Sequence, residues 1–120
     1  MKLIILFFSV LFIYSCSSDE NSAICVSFDT KQCMGDPWSD EVDEKADASI
    51  QSDQMKSYLM SRSIDVIEVK VVTAFHQVVC EACFVCPIGP RFFIEANESE
   101  ISKIEALELL NYSTADCSEF

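Results

Sequence analysis

The chain has 120 residues, with twenty acidic side chains against eight basic ones and a formal net charge of −12. That balance argues against nucleic-acid binding, which needs basic residues to neutralise phosphates. Only two glycines occur, Gly35 and Gly89, so no glycine-rich phosphate loop can be built and most nucleotide-binding classes fall away.

The amino terminus opens with Lys2, an apolar run over residues 3–14 broken only by Ser9, and then Ser15-Cys16. A positive start, a short apolar stretch and a small residue before a cut form a secretory signal. The run is too short for a membrane span, which takes about 20 apolar residues. The stretch Phe12-Ile13-Tyr14-Ser15-Cys16 resembles the lipobox of bacterial lipoproteins, with Ile13 three residues before the cysteine and Ser15 directly before it. The resemblance covers residues 1–20 only. It implies diacylglycerol on the Cys16 thiol, cleavage before Cys16 and a further acyl chain on the new amino group, and two or more chains hold stably on a membrane. The expected organisation is a signal peptide over 1–15, a lipidated cysteine and tether over 16–23, and one domain over 24–120. Asp19-Glu20 is similar to export signals of some surface lipoproteins of Gram-negative bacteria, which implies the outer membrane or cell surface.

Without Lys2, the mature chain has seven basic residues against twenty acidic ones, a charge of −13. Anionic lipid would repel it, so the membrane link is expected to be covalent.

The domain begins with Ile24-Cys25-Val26-Ser27-Phe28, whose alternation predicts a short strand. Residues 30–47 read as a polar connection with a turn at Gly35-Asp36-Pro37. Asp36, Asp40, Glu41, Asp43, Glu44 and Asp47 make it strongly acidic. It lacks the ligand spacing and glycine of an EF-hand, so a solvated loop is expected over a Ca²⁺ site. Trp38 is expected to act as a lid over the core. Residues 49–62 predict a helix with Met55, Tyr58, Leu59 and Arg62 on one face and Ile50 near its edge, started by Asp47 or Ser49.

Residues 65–75 predict the strongest strand, with Ile67, Val69, Val71 and Phe75 facing one side and Glu68 and Lys70 the other. Residues 76–90 read as a cysteine-rich connection closed by Pro87-Ile88-Gly89-Pro90. It carries His76-x3-Cys80-x2-Cys83-x2-Cys86, a set of nitrogen and sulfur donors able to surround zinc or copper. Disulfides are the expected state, with no cofactor, because an exported protein meets an oxidising compartment. The two-residue spacing also permits a reactive pair for thiol–disulfide exchange, Cys80 with Cys83 or Cys83 with Cys86. Phe92, Ile94 and Ala96 then mark a further strand. Asn97 with Glu100 forms a capping-box pattern before a helix with Ile101, Ile104, Leu107 and Leu110 as its stripe. Residues 111–116 predict a short last strand.

This order predicts an α+β two-layer sandwich, an antiparallel sheet with two helices, whose β-α-β-β-α-β succession matches the ferredoxin-like split pattern. There the last strand lies antiparallel beside the first, which brings Cys25 and Cys117 to one sheet end. Cys33 falls at the other end, beside Cys80, Cys83 and Cys86. The expected pairs are therefore Cys25 with Cys117, Cys33 with one of the triplet, and the remaining two together. Assigning Cys16 to lipid leaves six of seven cysteines, an even number.

His76 is the only histidine, which excludes mechanisms needing two. No nucleophile elbow is present. The expected function is a non-enzymatic binding or structural role in the cell envelope, held to the membrane by lipid and facing an envelope or extracellular protein. The alternatives are metal binding through His76, Cys80, Cys83 and Cys86, and thiol–disulfide exchange.

Overall fold

In β1 (Ala23–Lys31) the alternation turns Val26 and Phe28 inward, with Ile24 packed at the core's edge, and puts Cys25, Ser27 and Asp29 on the opposite face. The computed structural model describes residues 22–33, 35–77, 82 and 86–119. Cys16, Cys80 and Cys83 lie outside the described residues, as do residues 1–21, where the signal peptide and most of the tether are expected. Five further elements follow: α1 (Ala48–Ser61), β2 (Glu68–Val72), β3 (Pro87–Asn97), α2 (Glu98–Glu105) and β4 (Ser113–Thr114). A 3₁₀ turn over Cys117–Glu119 comes last.

The strands form one antiparallel sheet in the order β2-β3-β1-β4, the expected arrangement, with β4 antiparallel beside β1. Val26, Phe28, Val69, Phe92, Ile94 and Ala96 from the sheet share a single core with Met55, Tyr58 and Leu59 of α1 and Ile104 of α2. Both helices therefore cover the same sheet face, and the other face carries the odd-numbered residues of β1 and β3. Trp38 closes the core as expected, its ring 5.1 Å from Phe28, 5.9 Å from Phe92 and 6.3 Å from Tyr58. No helix among the described residues is long and apolar enough to cross a membrane.

The sequence-based boundaries shift for identifiable reasons. β3 starts at Pro87, inside the segment expected to be a connection. A proline is tolerated at the first position of a strand or at a bulge, where no ladder donor is needed. Pro87 pairs with Lys31 and Ile88 with Thr30, after which Gly89-Pro90 bulges out before Arg91 pairs with Asp29. A Cβ on Gly89 would sit 2.7 Å from the Thr73 carbonyl oxygen, a backbone atom that cannot swing aside. Gly89→Ala is expected to cost about 1–3 kcal/mol in urea unfolding, the usual penalty for overpacking.

β2 is shorter than the expected 65–75 strand. Ile64 and Val66 point inward, but the period breaks at Ile67, which is 48% exposed, before Val69 resumes the core face. The Ile67 N–H donates to the Glu95 carbonyl at 2.8 Å, which turns the side chain outward. Phe75 is also off the core, beyond the end of β2, and lies against Arg91 and Phe93 of the opposite face.

In α1 the apolar stripe is completed by the buried Gln51 rather than by Ile50. Gln51 Nε2 donates to the carbonyls of Glu44 and Ala46, capturing the end of the preceding loop. The helix ends in a Schellman arrangement: Ile64 N–H donates to Leu59 O and Ser63 N–H to Met60 O, with Ser63 left-handed at φ 59°. The capping box at α2 does not form. Asn97 is the N-cap residue without a side-chain bond, and Glu100 instead accepts from Asp65 N–H and Lys103 Nζ. Glu108, at φ 54°, breaks the spacing after α2, so Leu109 turns into the core in place of Leu110.

Candidate functional site

On the sheet face without helices, the residue between Phe28 and Thr30 is an acid. Asp29 is only 1% exposed, and a buried charge persists only when it is paired and hydrogen-bonded. β3 supplies the partner directly opposite, since Asp29 and Arg91 are register neighbours. Arg91 Nη1 donates to Asp29 Oδ1 at 2.7 Å, while Nη2 donates to Ser27 Oγ at 2.7 Å and Ser113 Oγ at 3.2 Å.

Two further segments converge on the same carboxylate. His76, beyond the end of β2, is held by its own N–H on the Gly89 carbonyl, and its Nε2 lies 2.6 Å from Asp29 Oδ1. Asn111, left-handed at φ 51°, donates from Nδ2 to Asp29 Oδ2 at 2.8 Å. The Asp29 N–H itself donates to Leu110 O. Phe75 and Phe93 flank the guanidinium, with ring centroids 5.2 and 5.9 Å from Cζ.

Burial pushes the Asp29 carboxyl up. The hydrogen bonds from Asn111, His76 and Arg91, with the Arg91 charge, outweigh burial and hold it below the usual carboxylate range. Asp29 is therefore ionised at neutral pH, and Nε2 of His76 must carry the proton it shares with Oδ1. The carboxylate accepts three side-chain donors, two on Oδ1 and one on Oδ2, and is held as a hydrogen-bonded anion. The hydroxyls of Ser27 and Ser113 are engaged by Arg91 and lie 3.4 Å from each other, not against the imidazole. An acid-oriented histidine is thus present, but the serines beside it are not activated by it. Physically, the cluster fastens the His76 loop and the C-terminal segment to the middle of the sheet.

A second fastening lies toward the other end of the face. Cys25 and Cys117 form a disulfide with Cα atoms 5.6 Å apart, the expected pair. Glu95 and Asp116 line the shallow hollow beside it. Cys33 and Cys86 are disulfide-bonded as well.

Of the residues expected to hold metal, His76 is committed to Asp29 through Nε2, and Cys86 is oxidised and so offers no thiolate. Cys80 and Cys83 lie outside the described residues. Asp29, Arg91, Asn111, Ser27 and Ser113 were not expected as a group. The available signal was an acid and an arginine one residue off the core positions of two predicted strands.

Comparison with protein-family models, with curated proteins and with solved structures finds no match to the chain.

Proposed function

We propose that this protein is an exported lipoprotein, anchored by acyl chains on Cys16, whose domain binds or supports another envelope component without catalysis. The observation that carries the reading is the oxidised sulfur: all four described cysteines, Cys25, Cys33, Cys86 and Cys117, are in disulfides. Such bonds persist in oxidising compartments and are rare in the cytosol. The lipobox resemblance at Ile13-Ser15-Cys16 supplies the anchor, and it accounts for the odd seventh cysteine.

The position of Cys25–Cys117 suits a tethered domain. It joins Cys25, near the start of β1, to Cys117 in the last turn, so a tether entering at β1 would meet a crosslinked end of the sheet. The triply hydrogen-bonded Asp29 and the arginine-bound serines favour a scaffold over a catalytic centre.

Feeding expressing cells with labelled palmitate tests the anchor. Wild-type protein is expected to take up label and to partition with membranes, whereas Cys16→Ala loses both and retains the signal peptide. Equal labelling of the two proteins would contradict acylation at Cys16. Crosslinking and co-purification from detergent-solubilised membranes then tests the binding role, which requires the same partner to recur.

A further inference from the structure

The two edges of the sheet differ. In an antiparallel ladder the backbone N–H and C=O groups of successive residues point to alternate sides, so a strand bonds each neighbour through every second residue. On β1 the odd-numbered residues point away from β3, and each of them from 25 to 31 has a partner. The Ala115 N–H donates to the Cys25 carbonyl, and Ser27 pairs with Ser113 of β4. The Asp29 N–H donates to the Leu110 carbonyl and the Lys31 N–H to Asp36 Oδ2. This edge is closed.

At the other edge lies β2. The same alternation, carried across β3, points Arg91, Phe93 and Glu95 at β2, in agreement with the Ile67 N–H on the Glu95 carbonyl. Their partners Val72, Lys70 and Glu68 therefore turn inward, and the N–H and C=O groups of Val69 and Val71 point out of the sheet. Among the described residues nothing bonds these outward groups. Lys56 Nζ, 3.5 Å from the Ile67 carbonyl, marks where the open stretch begins. An uncovered edge is a template for another strand. The charges of β2 are Glu68 and Lys70, 3.6 Å apart on one face, where Lys70 also donates to the Cys117 carbonyl.

We propose that β2 pairs antiparallel with β2 of a second copy of this chain, about a two-fold axis at Val69, and joins the two sheets into one. Charge selects the register. Centred on Val69, the pairing sets Glu68 opposite Lys70 of the second copy and Lys70 opposite its Glu68. Both are non-hydrogen-bonded pairs, in which facing side chains come closest and opposite charges stabilise. Centred on Lys70, it would set two ammonium groups against each other; centred on Val71, it would leave both charges without a counterpart. Val69 forms the central hydrogen-bonded pair, exchanging its N–H and C=O with those of its copy. Ile67, 48% exposed, then lies across from Val71 and adds apolar contact. Such an interface is self-complementary, and because the β1 edge is closed the pairing stops at two copies. This proposal depends on neither the lipid anchor nor the envelope role.

Sedimentation equilibrium of the disulfide-intact protein, extracted from its membranes into density-matched detergent, tests the pairing. Wild type is expected to show a reversible monomer–dimer equilibrium. Glu68→Lys, at a side chain 52% exposed, and Lys70→Glu are each expected to weaken it at least about tenfold, because like charges then face each other twice. The near-ultraviolet signal of the buried Trp38 reports that each variant is folded, and Glu68→Lys alone suffices if Lys70→Glu is not. Glu68→Lys/Lys70→Glu in one chain restores both opposite-charge pairs and is expected to restore the dimer. A wild type that stays monomeric at every concentration overturns the proposal, as does a dimer that the folded single variants retain. Failure of the double exchange to recover the lost association overturns the register and with it the proposal. So does recovery of the wild type with a different chain at this edge in place of its own copy.

Discussion

Asp29→Ala is expected to lower the unfolding free energy by about 3–5 kcal/mol, the range for removing one member of a buried ion pair. The substitution strands the Arg91 guanidinium, largely buried between Phe75 and Phe93, and leaves His76 Nε2 and Asn111 Nδ2 without their acceptor. Urea unfolding of wild type and variant measures the difference; a loss below about 1 kcal/mol, the worth of an exposed pair, would contradict the buried-hub account.

The pH dependence follows in sign. A carboxyl held below its unfolded value contributes stability that is present above the unfolded pKa and is lost as pH falls through the folded one. Asp36 and Glu44, whose carboxyls are raised, contribute with the opposite sign. The clean comparison is therefore wild type against Asp29→Asn, and their stability difference is expected to shrink as the solution is acidified below the ordinary aspartate range.

The double replacement Cys25→Ala/Cys117→Ala is expected to cost about 4–5 kcal/mol on the chain-entropy argument for closing so long a loop. The two residues are 92 apart in sequence, so the crosslink constrains nearly the whole unfolded domain. The variant is also expected to release the C-terminal segment. β4 has only two residues and two register pairs with β1, too few to hold that edge alone. Faster amide exchange at Ser27 and Ala115, with the other strands still protected, is the local signature. A change confined to residues 117–119 would show that Asn111 and Ser113, through Asp29 and Arg91, suffice to hold β4.

The sheet order and the Cys25–Cys117 bond were legible because both follow from period-two alternation and the order of elements. Once β4 must lie antiparallel beside β1, the sulfur atoms meet. Trp38 was legible for a simpler reason: a lone large aromatic between two predicted elements has a core to cover. The Asp29 cluster was not legible. Its bonds to His76, Arg91 and Asn111 span 47, 62 and 82 residues, and a charge on the outward face of a strand ordinarily meets water.

Local patterns failed where a tertiary partner outbid the local one. Glu100 has the spacing of a capping box, yet Asp65 N–H and Lys103 take its carboxylate. Pro87 to Pro90 reads as a loop, yet Lys31 and Thr30 recruit its first two residues into the sheet and the bulge absorbs the rest. Gln51 reads as a polar residue of a helix surface, yet the loop carbonyls above it draw it inside.

Intact mass spectrometry of the protein extracted from its own membranes, alkylated before and after reduction, tests the central claim most directly. The account expects a chain that begins at Cys16 and carries acyl mass. It expects no alkylation before reduction and six labels afterwards, one for each of the seven cysteines except Cys16. A chain still beginning at Met1, without acyl mass and labelled before reduction, would contradict it.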